Sequence, residues 1–336
     1  MEKPDTQVMQ EMQANNDLPA DGLELYRDEI DRVFAEALRE IQELPEPMRA
    51  VGHTLLSRSH PHRNGGGTNA VCFLLPYWLR ETSGVPIELC RDMAVGNLYA
   101  MLHYFVLDDA MDAGTDRMPA GLRRSLALGQ LLSGLFRQRY AKHFPQDSAL
   151  WSYERSYTEQ WAIAVNREAA EPVDPHDFAQ LAGKAAPVKL CVAGQLIWSG
   201  QLERIPDWEL ATELALAALQ LSDDRADWRE DLAEPNRNAL LTLVRDELAL
   251  SAGEPLDERT VKRAIFRHGV LDRLAAIAAE YLDRLQRLPN VPHGLTAFQR
   301  TIVQTLHKDA QQTRETIHNF AKNGAFSQIL MKSDKS

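Results

Sequence analysis

The chain of 336 residues carries 37 basic and 48 acidic side chains, a formal charge of -11, with 44% hydrophobic and 25% charged residues. These are the proportions of a globular protein, so wholesale disorder, collagen and small disulfide scaffolds are excluded, and the length suits one large domain or two small ones. The acidic balance offers no basic stripe to a phosphate backbone, which argues against nucleic acid; a polyanion could bind only with divalent cations in between.

Residues 1–20 mix Glu, Gln, Asn and Asp with isolated methionines and show no period, the composition expected of a mobile arm. The start lacks a basic, then apolar, leader pattern, and nowhere do about 18 uncharged apolar residues run together, so the expectations are no membrane span and a cytoplasmic protein. Cys72, Cys90 and Cys191 are too scattered for a disulfide framework or a zinc site. From Leu25 onward apolar residues recur at helical spacing, first Leu25, Ile30, Val33, Phe34 and Leu38, later Leu122, Leu126, Leu128, Leu131, Leu132 and Leu135. Prolines and glycines at 45–47, 65–67, 84–86, 114–119, 172–175, 206, 235, 255 and 289–292 punctuate this pattern, and strand-like alternation is nearly absent. The spacing predicts an all-α protein of roughly eight to ten helices, with one helical domain over 21–325 and a tail over 326–336.

The most informative segment is Met101 to Asp112, in which an apolar run ends in Asp108, Asp109 and Asp112. Asp108 and Asp112, four residues apart, project from one helical face, with Asp109 about 100° round. Carboxylates gathered at the negative end of a helix dipole repel one another, so a cation is expected there, and Asp108 and Asp112 can share a metal ion.

A second cluster, Gln220 to Asp231, also follows an apolar stretch and sets Asp223, Asp227 and Asp231 at i, i+4 and i+8. By itself it would also suit a solvated face laced with Arg225 and Arg229. Two such clusters of carboxylates, without histidine or cysteine at ligand spacing, suit Mg²⁺, which takes one or two carboxylates and completes its shell with water and phosphate oxygens. The implied ligand is a diphosphate.

These residues resemble the class I isoprenoid synthases: terpene cyclases, chain-elongating prenyl diphosphate synthases and squalene- or phytoene-type enzymes. Asp108-Asp109-Ala110-Met111-Asp112 resembles the family's first aspartate-rich motif, and Gln220 to Asp227 resembles the second motif of the elongating enzymes. The same segment also fits the cyclases' metal triad, with Asp223, Asp227 and Asp231 at the ligand positions. The resemblance implies a helical bundle around a central cavity, three Mg²⁺ ions when diphosphate is bound, and a homodimer. It implies catalytic roles for Asp108, Asp109, Asp112, Asp223, Asp227 and Asp231. Lys189 resembles the family's diphosphate-contacting lysine, with Lys184 as rival, and Arg225, Lys308 and Arg314 are further candidate diphosphate partners.

Two departures favour cyclisation of a single substrate. Arg63-Asn64-Gly65-Gly66-Gly67-Thr68 stands where elongating enzymes hold isopentenyl diphosphate with Gly-Gly-Lys-Arg, and Asp116-Arg117-Met118-Pro119 offers one arginine where they carry a pair. The expected activity is Mg²⁺-dependent ionisation of a fifteen- or twenty-carbon allylic prenyl diphosphate, with cyclisation of the carbocation and release of diphosphate. The carbocation needs a water-poor cavity with aromatic faces. Met101 and Tyr104, seven and four residues before Asp108, share its face, as Leu216, Leu219 and Gln220 do before Asp223, while Phe73, Tyr77, Trp161 and Trp198 are candidate walls from other helices.

Three alternatives stay open. A prenyltransferase would pass the allylic group to isopentenyl diphosphate or another acceptor. A phosphohydrolase reading starts from His176-Asp177 with His53, His103 and Asp223, although Asp177 at a helix start more simply serves the dipole. A non-enzymatic helical interaction protein would carry its acidic clusters on the surface.

Overall fold

Ile30, Val33, Phe34, Ala37 and Ile41 recur at helical spacing and all lie buried on one side of a helix, a pattern that repeats down the chain. The computed structural model describes residues 20–61, 69–112, 120–233, 238–251 and 254–322. Among them are 14 α-helices and no strand, so the protein is all-α. The arm over 1–20 lies outside the described residues except for Ala20, as do the tail over 326–336 and the segments 63–68 and 116–119.

The first six helices are α1 (Ala20–Leu25), α2 (Arg27–Gln42), α3 (Met48–Arg58), α4 (Val71–Ser83), α5 (Ile87–Asp112) and α6 (Ala120–Ala141). Then come α7 (Leu150–Ala170), α8 (Phe178–Gly183), a 3₁₀ turn at Ala186–Lys189, α9 (Leu190–Ser199) and α10 (Ile205–Asp227). The chain finishes with α11 (Ala239–Glu247), α12 (Glu258–Arg267), α13 (Val270–Gln286) and α14 (His293–Lys322). Helices outnumber the eight to ten expected because the chain also breaks at Tyr26, between Ala141 and Leu150, between Gly183 and Leu190, where Pro187 sits in the 3₁₀ turn, and between Arg267 and Val270. Leu25, counted in the apolar face of the first helix, is instead 76% exposed beyond that break.

Helix α5 is apolar nearly all round from Leu89 to Leu102, and it is buried accordingly between α2, α4 and α6. Helix α10, apolar from Leu214 to Leu221, holds the corresponding place among α8, α13 and α14. The two groups meet where α4 packs on α9 and α14 and where the 3₁₀ turn touches α5, α7 and α10. No helix among the described residues is long and apolar enough to cross a membrane.

Polar side chains fix this junction. Pro76, inside α4, has no N–H to give the Cys72 carbonyl, and the Asn97 amide of α5 donates to that oxygen at 3.0 Å. Asn97 in turn accepts from the Tyr140 hydroxyl of α6, and Gln195 of α9 donates to the Pro76 carbonyl at 2.6 Å. Buried amides so satisfied set the register of α4 against α5 and α9, and of α5 against α6.

Candidate active site

Each long buried helix turns acidic at its C-terminal end, and the lysine after α8 connects the two ends. Asp108 is half-buried near the end of α5, and its Oδ1 lies 3.4 Å from the Lys184 Nζ. The same ammonium is 3.0 Å from Glu168 Oε2 on α7. Burial opposes the charge on Lys184, but Glu168 and Asp108 outweigh it and raise its pKa. Lys184 and Glu168 border a cavity of about 20 Å³ with Ala164, Gln180, Gln220 and Asp224, so side chains from α7, α8 and α10 share one small space next to Asp108. Glycine makes the approach possible: a Cβ on Gly183 would stand 2.6 Å from the Ala164 Cβ, one turn from Glu168.

The face of α10 that borders this cavity differs from the expected one. Gln220 and Asp224 line it, with Gln220 Nε2 donating to Asp224 Oδ1 at 2.7 Å. Asp224, which sequence spacing set off the working face, is buried, and its Oδ2 accepts the Ala239 N–H at the start of α11 at 2.6 Å. Burial pushes its carboxyl up to about 7 in spite of these donors. Asp223 is half-buried and pushed up to about 8, first by desolvation and then by the charges of Asp224 and Asp227. Asp227 is exposed, and its pKa is raised by desolvation and by Asp231 and Glu230. Asp231 does not continue the helical face. Helix α10 ends at Asp227, Trp228 enters the core, and Asp231 sits on a 3₁₀ turn at Glu230–Ala233, accepting from Asn238 Nδ2 at 2.7 Å.

A second cavity, of about 360 Å³, opens where α5 faces α3 and α4. Asp108 and Asp109 stand at one side, Arg58, Ser59 and Asn69 provide further polar groups, and Phe73, Met101 and Phe105 supply apolar wall. Helix α5 reaches Asp112, whose side chain lies outside the described residues.

Among the candidate cations, the structure brings Lys184 to the acidic motif and ties Lys189, Arg225 and Arg314 to other partners. Lys189, 1% exposed, donates to Gln160 and Glu213 and lies 4.7 Å over the Tyr157 ring. Arg225 forms a buried ion pair with Asp309 of α14 at 2.7 Å, Arg314 pairs with Asp272 of α13, and Lys308 is exposed.

Phe73 and Met101 line the larger cavity and Gln220 the smaller. Tyr104 packs on Trp161 with ring centres 4.9 Å apart, and Leu216 and Leu219 are buried in α10. Tyr77 donates to Glu29 and Trp198 is 48% exposed, and neither lines either of these two cavities. Sequence reasoning missed Glu168, Gln180 and Arg58, which carry no local signal; only the pairing of Gly183 with Ala164 brings Glu168 to Lys184.

Two residues of the phosphohydrolase reading lie apart in the fold. Asp177 caps α8 by accepting the Gln180 N–H and pairs with Arg167, while His53 is exposed on α3. The cysteines are buried and unpaired, with burial pushing Cys72 and Cys90 up to about 12.

Among the described residues no three His, Cys, Asp or Glu side chains converge as ligands of one metal ion. The donors nonetheless fit Mg²⁺ in kind, because it needs only one or two carboxylates, and although desolvation is the main reason that Asp223 and Asp227 are raised, their neighbours' negative charge adds to it and is what a divalent cation relieves. No known family model matches the sequence, and neither does any curated protein.

Proposed function

We propose that the protein is a Mg²⁺-dependent class I terpene synthase that ionises an allylic prenyl diphosphate and cyclises the resulting carbocation. The observation that carries this reading is the position of Lys184, whose ammonium reaches Asp108 of the first acidic motif and borders the cavity lined by Gln220 and Asp224 of the second. Two acidic helix ends with a cation between them suit a ligand that is itself densely anionic and arrives with metal ions.

In this reading Asp108, Asp109 and Asp112 on one side, and Asp223 and Asp227 on the other, hold the Mg²⁺ ions, which supply Lewis-acid stabilisation of the departing diphosphate. Lys184 donates charge-assisted hydrogen bonds to the diphosphate oxygens. Phe73, Phe105 and Met101 offer the chain an apolar wall next to Asp108, and aromatic faces stabilise nearby positive charge by about 0.5 to 2 kcal/mol each. A homodimer in the cytoplasm remains part of the proposal.

One observation favours a second reading, transfer of the allylic group to an acceptor. The larger cavity sets Arg58, Ser59 and Asn69 within the same space as Asp108 and Asp109, a polar rim suited to a second, smaller anion. Incubation with Mg²⁺ and ten-, fifteen- and twenty-carbon allylic diphosphates, each with and without isopentenyl diphosphate, decides between them by mass spectrometry and diphosphate release. A cyclic hydrocarbon or cyclic alcohol from one substrate alone supports cyclisation. Longer diphosphates formed only with isopentenyl diphosphate support transfer, and absence of turnover in every mixture removes both.

A further inference from the structure

We propose that Glu168 is a positioning residue that receives Lys184 when a divalent cation displaces the lysine from Asp108, so that the lysine serves as a built-in monovalent cation at the first acidic motif. The inference rests on the metal-dependent reading above and adds to it a residue and a sequence of events.

One ammonium is shared by two carboxylates, with the shorter contact to Glu168, at 3.0 Å, and the longer to Asp108, at 3.4 Å. The Glu168 side chain is the more enclosed of the two, 18% exposed against 44% for Asp108. Asp108 is therefore the end of the bridge open to solvent and to an incoming ion. The adjoining cavity of about 20 Å³ holds roughly one water and cannot admit a diphosphate while the bridge is closed. A doubly charged ion on Asp108 repels the ammonium, and a half-buried ammonium without a partner is costly. Glu168 removes that cost, because Lys184 can leave Asp108 without losing its second contact. Helix α7 holds Glu168 in place, since Gly183 lets α8 close on Ala164 one turn away.

The test measures Mn²⁺, an oxygen-seeking stand-in for Mg²⁺, by electron paramagnetic resonance on the whole chain without substrate. Lys184→Met should bind Mn²⁺ about threefold more tightly than wild type, the scale of one partly exposed ion pair, because the competing cation is gone. Glu168→Gln should bind it about threefold more weakly, because Lys184 then rests wholly on Asp108. A general loss of negative charge would also weaken binding, so the double variant separates the two: in the Lys184→Met background, Glu168→Gln should change the affinity much less. Equal weakening in both backgrounds overturns the proposal, as does an unchanged affinity in either single variant. If Glu168→Gln fails to fold, Glu168→Asp, which keeps the charge but withdraws it by one methylene, replaces it in both backgrounds, and the same coupling decides. Wild type that binds no Mn²⁺ overturns the metal-dependent function itself, whereas wild type that binds it without the expected coupling overturns only the role of Glu168.

Discussion

The guanidinium of Arg225 and the carboxylate of Asp309 stand 2.7 Å apart with both side chains buried, so a desolvated ion pair ties the second acidic cluster to α14. Desolvation lowers the pKa of Arg225 and raises that of Asp309, the direction expected of two charges held out of water. Removing the guanidinium strands the buried Asp309 carboxylate. Arg225→Met should therefore cost about 3 to 5 kcal/mol in urea unfolding, and the double change Arg225→Met with Asp309→Leu should recover most of it.

Asp224 serves the fold before it serves any ligand. Its Oδ2 accepts the Ala239 N–H and its backbone carbonyl accepts from Asn238, the residue that caps α11. Asp224→Ala strands a buried N–H and should lower stability by about 1 to 3 kcal/mol. Asp224→Asn keeps an acceptor, and Gln220 can turn its amide to match, so its unfolding midpoint in urea should stay close to that of wild type. Equal losses in the two variants would remove the hydrogen bond to α11 as the reason.

Gly183 and Ala164 form a close contact that sets the place of Lys184. The added methyl of Gly183→Ala meets the Ala164 Cβ at 2.6 Å, too near for either helix to keep its position. Overpacking of this kind costs about 1 to 3 kcal/mol, and Gly183→Ala combined with Ala164→Gly should restore the melting temperature. The single variant should also bind inorganic diphosphate with Mg²⁺ more weakly, as measured by calorimetry.

A charged network at the other end of α5 predicts the acid response. Burial would raise Asp92, but hydrogen bonds from His143, Lys142 and Arg139 outweigh it and hold the carboxyl well below its usual range. A carboxyl lowered by folding contributes stability that is present above its unfolded pKa of about 3.9 and is lost as pH falls through its folded value. Asp92→Asn should cost roughly 1.5 to 3 kcal/mol at pH 7, and urea titrations should show the gap to wild type closing as pH drops below about 4.

Asp108 and Asp227 separate function from folding. Asp108 is half-buried and Asp227 exposed, so neither alanine variant removes a core contact, and the helical circular dichroism should be unchanged. Diphosphate release from an allylic substrate should fall by roughly a hundredfold or more in each, the scale for losing one group that stabilises developing charge. Full activity in both variants would withdraw the proposed function.

Local pattern sufficed for the all-α class, for the buried lengths of α5 and α10 and for the acidic residues at their ends, because helical period and charge clustering are properties of neighbours in sequence. Even there the reach was limited: periodicity assumes a helix that continues, and α10 stops at Asp227, which takes Asp231 off the shared face. Choosing Lys184 over Lys189 needed the tertiary structure, since the two stand five residues apart in similar surroundings along the chain. A 3₁₀ turn between them sends Lys189 into a buried pairing with Glu213 and leaves Lys184 between Glu168 and Asp108. The partners of Asp224 and Arg225 came from α11 and α14, which follow in sequence and whose packing no local spacing encodes. Which charge meets which is set by how whole helices pack, and that is the information a linear pattern does not carry.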